Sequence, residues 1–176
     1  MADELPRIEH PLKPIYDENS EILILGSFPS VKTREAAFFY GHPRNRFWPL
    51  LSSLLGIEPP LSAEDPARAA AALRAHKIAL YDTIYACRIK GSSDASIREV
   101  EPTDLKRITD ASRIRHVFCN GGTSYRNYKK YQDKSIALPV TKLPSTSPAN
   151  AAWNMERLKK DWQIVIDVLR GTGGTE

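Results

Sequence analysis

The densest group of chemically useful side chains in this 176-residue chain is Phe38-Phe39-Tyr40-Gly41-His42-Pro43-Arg44-Asn45-Arg46-Phe47-Trp48. Three flat rings precede a Gly-His-Pro turn, and an asparagine stands just beyond it. Smaller groups occur at Gly26-Ser27-Phe28-Pro29-Ser30, Tyr81-Asp82-Thr83, Cys119-Asn120-Gly121-Gly122 and Leu143-Pro144-Ser145-Thr146-Ser147-Pro148-Ala149-Asn150. These are groups that orient and donate rather than attack. An asparagine amide is no useful base near neutral pH, but its oxygen can orient a water and its N–H groups can stabilise an anion. Gly26 and Pro29 frame a rigid turn that exposes backbone amides to a phosphate or a base edge. His42, beside Pro43 and far from any cysteine, reads as a turn residue. Phe38 and Phe39 suit a core.

These groups fall at the ends of short apolar runs. Glu21–Gly26, Ile78–Asp82, His116–Asn120 and Leu138–Leu143 read as buried strands. Between them, helical spacing covers Asn45–Leu55, Pro66–His76, Thr103–Ser112 and Ser124–Tyr131. A last helix is expected from a Ser147 cap with Pro148 in its first turn, its stripe formed by Trp153, Leu158, Trp162, Val165, Ile166 and Leu169. Such alternation predicts an α/β fold: a three-layer sandwich around a central, mainly parallel four-stranded sheet. Ligands in such sheets bind at the carboxyl ends of the strands, where all four polar groups lie. One domain is expected over residues 1–176, with an acidic N-terminal extension at 1–20, a mobile loop near Gly91-Ser92-Ser93 and a frayed tail at 171–176.

Composition narrows the function. Hydrophobic residues at 41% and charged residues at 26% exclude wholesale disorder. No apolar run approaches a membrane span and the first residues are polar and acidic, so a cytoplasmic protein is expected. Two cysteines, Cys87 and Cys119, cannot build a disulfide framework, and with no Cys/His cluster neither a metal nor a cofactor is implied. Residues 1–21 carry two basic and six acidic side chains, whereas 104–134 carry eight basic and three acidic. The basic segment suits a polyanion partner or a solvated helix face alike.

The pairing of Gly26-Ser27-Phe28-Pro29-Ser30 with His42-Pro43-Arg44-Asn45-Arg46-Phe47-Trp48 resembles the hypoxanthine-DNA glycosylase family of the uracil-DNA glycosylase superfamily. It is also similar to the mismatch-specific uracil/thymine glycosylases. Ala79–Ile84, Phe118–Gly121 and Leu143–Asn150 extend the resemblance, which runs from about Ile22 to Trp162. It implies a monomeric, monofunctional enzyme that binds DNA, flips out a deaminated base and hydrolyses its N-glycosidic bond. In most of the superfamily the residue before the first-motif proline is an acid or amide that positions water. Here it is Phe28, and the resemblance moves the catalytic role to Asn45 and Asn120. It further implies base contacts from Gly26, Ser27, Phe28, Tyr40 and Asp82. DNA contacts are implied from Ser30, Lys32, Arg44, Pro144, Ser145, Ser147 and Asn150. Tyr40 would offer a stacking platform. Asp82 could read the base, hold water or order a loop.

Three other readings stay open. One is a glycosylase for uracil or mismatched thymine, because uracil shares the carbonyl–N–H edge of hypoxanthine. A second is a nucleotide-binding domain using Gly121-Gly122-Thr123-Ser124 as a phosphate cradle, although that spacing matches no P-loop. A third is a DNA-binding protein without catalysis, which Phe28 keeps in play.

Overall fold

The computed structural model describes residues 5–171. The elements run Arg7–Glu9 (β1), Ile22–Gly26 (β2), Val31–Ala36 (α1), Phe47–Leu55 (α2), Pro66–Ala75 (α3), Ile78–Asp82 (β3) and Ile84–Arg88 (β4). Arg98–Pro102 (β5), Leu105–Asp110 (α4), His116–Asn120 (β6), Gly122–Tyr131 (α5), Asp133–Ile136 (α6), Val140–Leu143 (β7) and Met155–Leu169 (α7) follow.

The four apolar runs form one parallel sheet in the order β3-β2-β6-β7. Every residue of β2 is buried, so both faces of the sheet are covered, as a parallel sheet requires. α3 packs on β3, α5 packs on β6 and β7, and α2 packs against α7. Register does the work that matters for function. Gly26 pairs with Asp82, Leu25 with Cys119, and Asn120 with Leu143, so the four polar strand ends finish side by side. Among the described residues, no helix is long and apolar enough to cross a membrane.

A second, antiparallel sheet, β1-β4-β5, departs from the expected single sheet. Only Thr83 separates β3 from β4; its N–H bonds to Gly26 O and that of Ile84 to Ser27 O, which turns the chain from one sheet into the other. β5 is charged and largely exposed and β1 has three residues, so neither carries an apolar signal. Phe28, Ile84, Cys87 and Ile89 form a separate small core beneath this sheet. The N-terminal segment is therefore built in: β1 pairs with β4, and Ile15 bridges to Leu80. The loop expected to be mobile is tied down by bonds from Val31 N to Ser92 Oγ and from Arg34 to Gly91 O. Of the expected frayed tail, residues 172–176 lie outside the described residues.

The last helix starts seven residues later than expected. Asn154, not Ser147, caps α7 by accepting from Arg157 N. Ser147 instead accepts from Ala149 N in a tight turn, and Arg46 takes the carbonyls of Ser147, Asn150 and Trp153. The carbonyls of Ser147 and Asn150 accept both from Arg46 and, three residues on, from Asn150 N and Trp153 N, so the segment runs as successive turns held by Arg46 rather than as α-helix.

Candidate active site

The strand ends open into one cleft of about 1200 Å³. It is lined by Gly26, Ser27, Phe28, Ser30, Lys32, Tyr40, Asn45, Asp82, Asn120, Pro144, Ser145, Ser147 and Asn150 among others. Every expected site residue except Arg44 is thus brought to the same hollow. Arg44 is exposed outside it, where its N–H caps His42 Nδ1 at 3.0 Å. That bond gives His42 the turn role expected of it.

At the centre, one buried hydroxyl joins the two asparagines. Thr146 N donates to Asn120 Oδ1 at 3.0 Å, and Asn120 Nδ2 donates to Thr146 Oγ at 3.0 Å and to Tyr40 OH at 3.2 Å. Thr146 Oγ, having accepted from Asn120, uses its own hydrogen toward Asn45 Oδ1 at 2.9 Å. Phe47 N also donates to Asn45 Oδ1, at 2.9 Å. A backbone N–H can only donate, so these bonds fix the orientation of both amides. Asn45 lies just outside α2, with its oxygen filled by two donors. Among the described residues nothing takes a hydrogen bond from its Nδ2. The site therefore presents the N–H face of Asn45, polarised by two donors on its carbonyl. Asn120 is buried and uses both N–H groups internally.

The neighbours of this pair exclude other chemistries. Burial, then the nearby Asp82 charge, pushes the Tyr40 phenol well above its usual range, so it remains a hydroxyl. Burial pushes the Cys119 thiol up to about 12, so it is no thiolate nucleophile. Phe28 lines the cleft but packs edge-on against His10 and into the small core, with no polar atom to offer. The Tyr40 ring stacks on Phe47 with centroids 4.1 Å apart, so one of its faces is already covered. At Gly26 an added Cβ would collide with Asp82 Oδ1 and lie 3.1 Å from Tyr40 OH. Only glycine lets those two groups meet over the strand end.

Ser30 caps α1 and bonds Thr33 through both its lone pair and its proton, while Lys32 lies 3.4 Å from Glu35. Ser145 accepts from Ser147 N, and Asn150 donates to Ser145 O at 3.0 Å. These residues shape the rim more than they leave groups free. Arg126 and Lys142, which the motifs did not single out, stand at the rim around Gly122. Among the described residues neither forms a salt bridge, and both flank the amino end of α5, where Arg126 also bonds Thr123 Oγ and interacts with the Asp94 carboxylate. Arg46 and Thr146 were also missed as site residues, although both lie inside the motifs; their importance rests on partners about a hundred positions away. His10, buried against Asp82, had no motif to mark it.

The chain resembles known proteins in both fold and sequence. A solution NMR structure of a candidate uracil DNA glycosylase from Methanosarcina acetivorans superposes with a TM-score of 0.76, at 28% identity, over 92% of this chain and 98% of that one. Two curated relatives carry the name hypoxanthine DNA glycosylase. The one from Methanosarcina barkeri is 37% identical over 112 residues, 63% of this chain and 70% of the relative. The one from Methanosarcina acetivorans is 29% identical over 154 residues, 86% and 94% of the two chains. The family model described as the Uracil DNA glycosylase superfamily matches residues 13–169, which takes in both asparagines, the glycine-floored strand end and the closing loop. On that match the chain belongs to the uracil DNA glycosylase superfamily.

Proposed function

We propose that this protein, acting as a monomer, removes a deaminated base from DNA, with hypoxanthine preferred, and leaves an abasic site. The observation that carries this is the cleft-lining Asn45, whose amide oxygen is doubly hydrogen-bonded and whose N–H groups have no partner among the described residues. Breaking the C1′–N bond leaves the electron pair on the base and positive charge on the sugar. Donors fixed before the reaction stabilise the developing anion without reorganising. Asn45 supplies such donors, and its filled oxygen is not the group that holds water. Water oxygen then bonds to C1′, its proton is lost to solvent, and the base takes up a proton.

Asn120 acts in this proposal as a positioning residue. It holds Thr146 and, through it, Asn45; it also holds Tyr40. Gly26, Ser27, Phe28, Tyr40 and Asp82 surround the base. Ser30, Lys32, Pro144, Ser145, Ser147 and Asn150 border the strand that carries it, with Arg126 and Lys142 facing phosphates. Flipping the nucleotide costs a few kcal/mol and is cheapest at a mispair, which helps select damage. The preference for hypoxanthine draws on the names of the two curated relatives. Uracil is the second reading, favoured by its identical carbonyl–N–H edge.

Single-turnover excision from duplexes carrying one deoxyinosine, uracil, mismatched thymine or xanthine tests the proposal. Fastest release is expected from deoxyinosine; faster release of uracil would reverse the order. Borohydride should trap no covalent DNA adduct, and trapping through Lys142 would contradict monofunctional hydrolysis.

A further inference from the structure

His10 belongs to no motif, yet its imidazole is wholly buried and donates to a carboxylate in the cleft. The preceding strand β1 is paired to β4, and His10 N bonds to Tyr85 O at 2.6 Å, which fixes the backbone there. The ring packs against Tyr81 with centroids 4.5 Å apart, and against Phe28 and Phe39 at 5.9 and 6.0 Å. Leu12 N donates to Nδ1 at 3.1 Å, so Nδ1 carries a lone pair and the ring proton is on Nε2. That proton is donated to Asp82 Oδ2 at 2.7 Å.

The bond decides which way Asp82 faces. A free aspartate turns its carboxylate plane broadly about χ2. With Oδ2 held by His10, Oδ1 is turned over Gly26, beside the Tyr40 hydroxyl. Among the described residues Oδ1 takes no hydrogen bond. Tyr40 OH accepts from Asn120, which leaves the phenolic hydrogen free to donate. An obligate acceptor and a donor thus stand side by side on the cleft floor.

We propose that His10 is a specificity-determining positioning residue: it aims Asp82 Oδ1 at a ring N–H of the flipped base while Tyr40 donates to the adjacent carbonyl. The proposal rests on the glycosylase function proposed above. Hypoxanthine presents N1–H beside its 6-carbonyl and uracil presents N3–H beside a carbonyl, so both fit. Adenine offers a lone pair at N1, which would face a carboxylate lone pair, so the undamaged base is rejected by the same pair of groups.

The test couples the residue to one atom of the substrate. Single-turnover rates are measured for wild type, His10→Phe and His10→Gln on duplexes containing deoxyinosine or 1-methyldeoxyinosine, which lacks the N1 hydrogen. In wild type, methylation should slow excision roughly tenfold to a hundredfold beyond its effect in His10→Phe, the range of one unpaired buried polar group. His10→Gln, which keeps an N–H donor, should restore most of that difference. An equal methylation effect in all three proteins would overturn the role of His10 and leave the glycosylase function standing. Absence of excision by wild type on every duplex would overturn the function and this inference with it. A wild-type complex with a duplex carrying 2′-fluoro-2′-deoxyinosine, which resists cleavage, gives a readout that needs no variant. N1 within hydrogen-bond distance of Asp82 Oδ1 supports the proposal, and N1 turned to any other group overturns it.

Discussion

Asn45 and Asn120 do not bond to each other; the Thr146 hydroxyl passes between them, accepting from Asn120 Nδ2 and donating to Asn45 Oδ1. The direction of these bonds is fixed by two backbone donors, Thr146 N on Asn120 and Phe47 N on Asn45. A residue from the closing loop therefore sets the working face of a residue from the first motif.

Thr146→Val keeps the shape of the side chain and deletes the bridge. Two hydrogen bonds of roughly 1 kcal/mol each are lost, so excision should slow roughly tenfold to thirtyfold if both act at the transition state. Duplex affinity should change little. Single-turnover rates beside a binding titration check this, and an unchanged rate would show that the bridge does not orient Asn45.

Arg46 binds the closing loop at three carbonyls and accounts for its irregular path. Arg46→Leu should release that loop and lower stability by about 2–4 kcal/mol, since hydrogen bonds to charged groups are the stronger kind and are not additive. Faster amide exchange at Thr146–Trp153 and a lower urea midpoint are the expected outcomes. Exchange unchanged in that loop would contradict the clamp.

The sheet was legible in the sequence because β2, β3 and β6 are buried almost throughout and so read as apolar runs, while the edge strand β7 is partly exposed and carries the weaker signal. Convergence of the site followed, since Asp82 and Asn120 end such runs. The second sheet was not legible, because β5 is a charged edge strand and β1 is only three residues long. The late start of α7 was hidden for another reason. Ser147-Pro148 carries a good helix-start signal, and the bonds that hold the segment as a loop include those from Arg46, 101 positions away from Ser147. The polarity of Asn45 was likewise invisible: residue type allowed both a water-orienting oxygen and an anion-stabilising amide, and Phe47 and Thr146 choose between them.

Arg126 and Lys142 stand at the rim around Gly122, and neither is in a salt bridge among the described residues, although the Asp94 carboxylate feels the Arg126 charge. Replacing either by alanine should weaken binding to all duplexes alike and reduce the salt dependence of log K by about one unit per lost phosphate contact. Titrations over a range of salt on damaged and undamaged duplexes check this. A loss confined to the damaged duplex would assign the residue to the base instead.

Burial, then the adjacent Arg115 charge, holds the His116 imidazole below its ordinary value of 6.5. Its native ring stacks on Phe118 with centroids 4.4 Å apart. A lowered native value means that the unfolded chain binds this proton more readily. The residue costs nothing above pH 6.5, and stability falls as pH drops from there toward the native value, levelling off below it. Urea midpoints at pH 7.5 and 5.5 should differ less in His116→Gln than in wild type. Equal differences would remove His116 as a source of acid sensitivity.

The central claim, that the open amide of Asn45 stabilises the departing base, is tested most directly by single-turnover release of hypoxanthine from a deoxyinosine duplex. Wild type, Asn45→Ala and Asn120→Ala are compared, with duplex affinity measured on the same preparations. Asn45→Ala should bind as wild type does and release base on the order of a hundred to a thousand times more slowly, the loss typical of one fixed anion-stabilising donor. Asn120→Ala should lose as much or less. A wild-type rate in folded, DNA-binding Asn45→Ala would contradict the account.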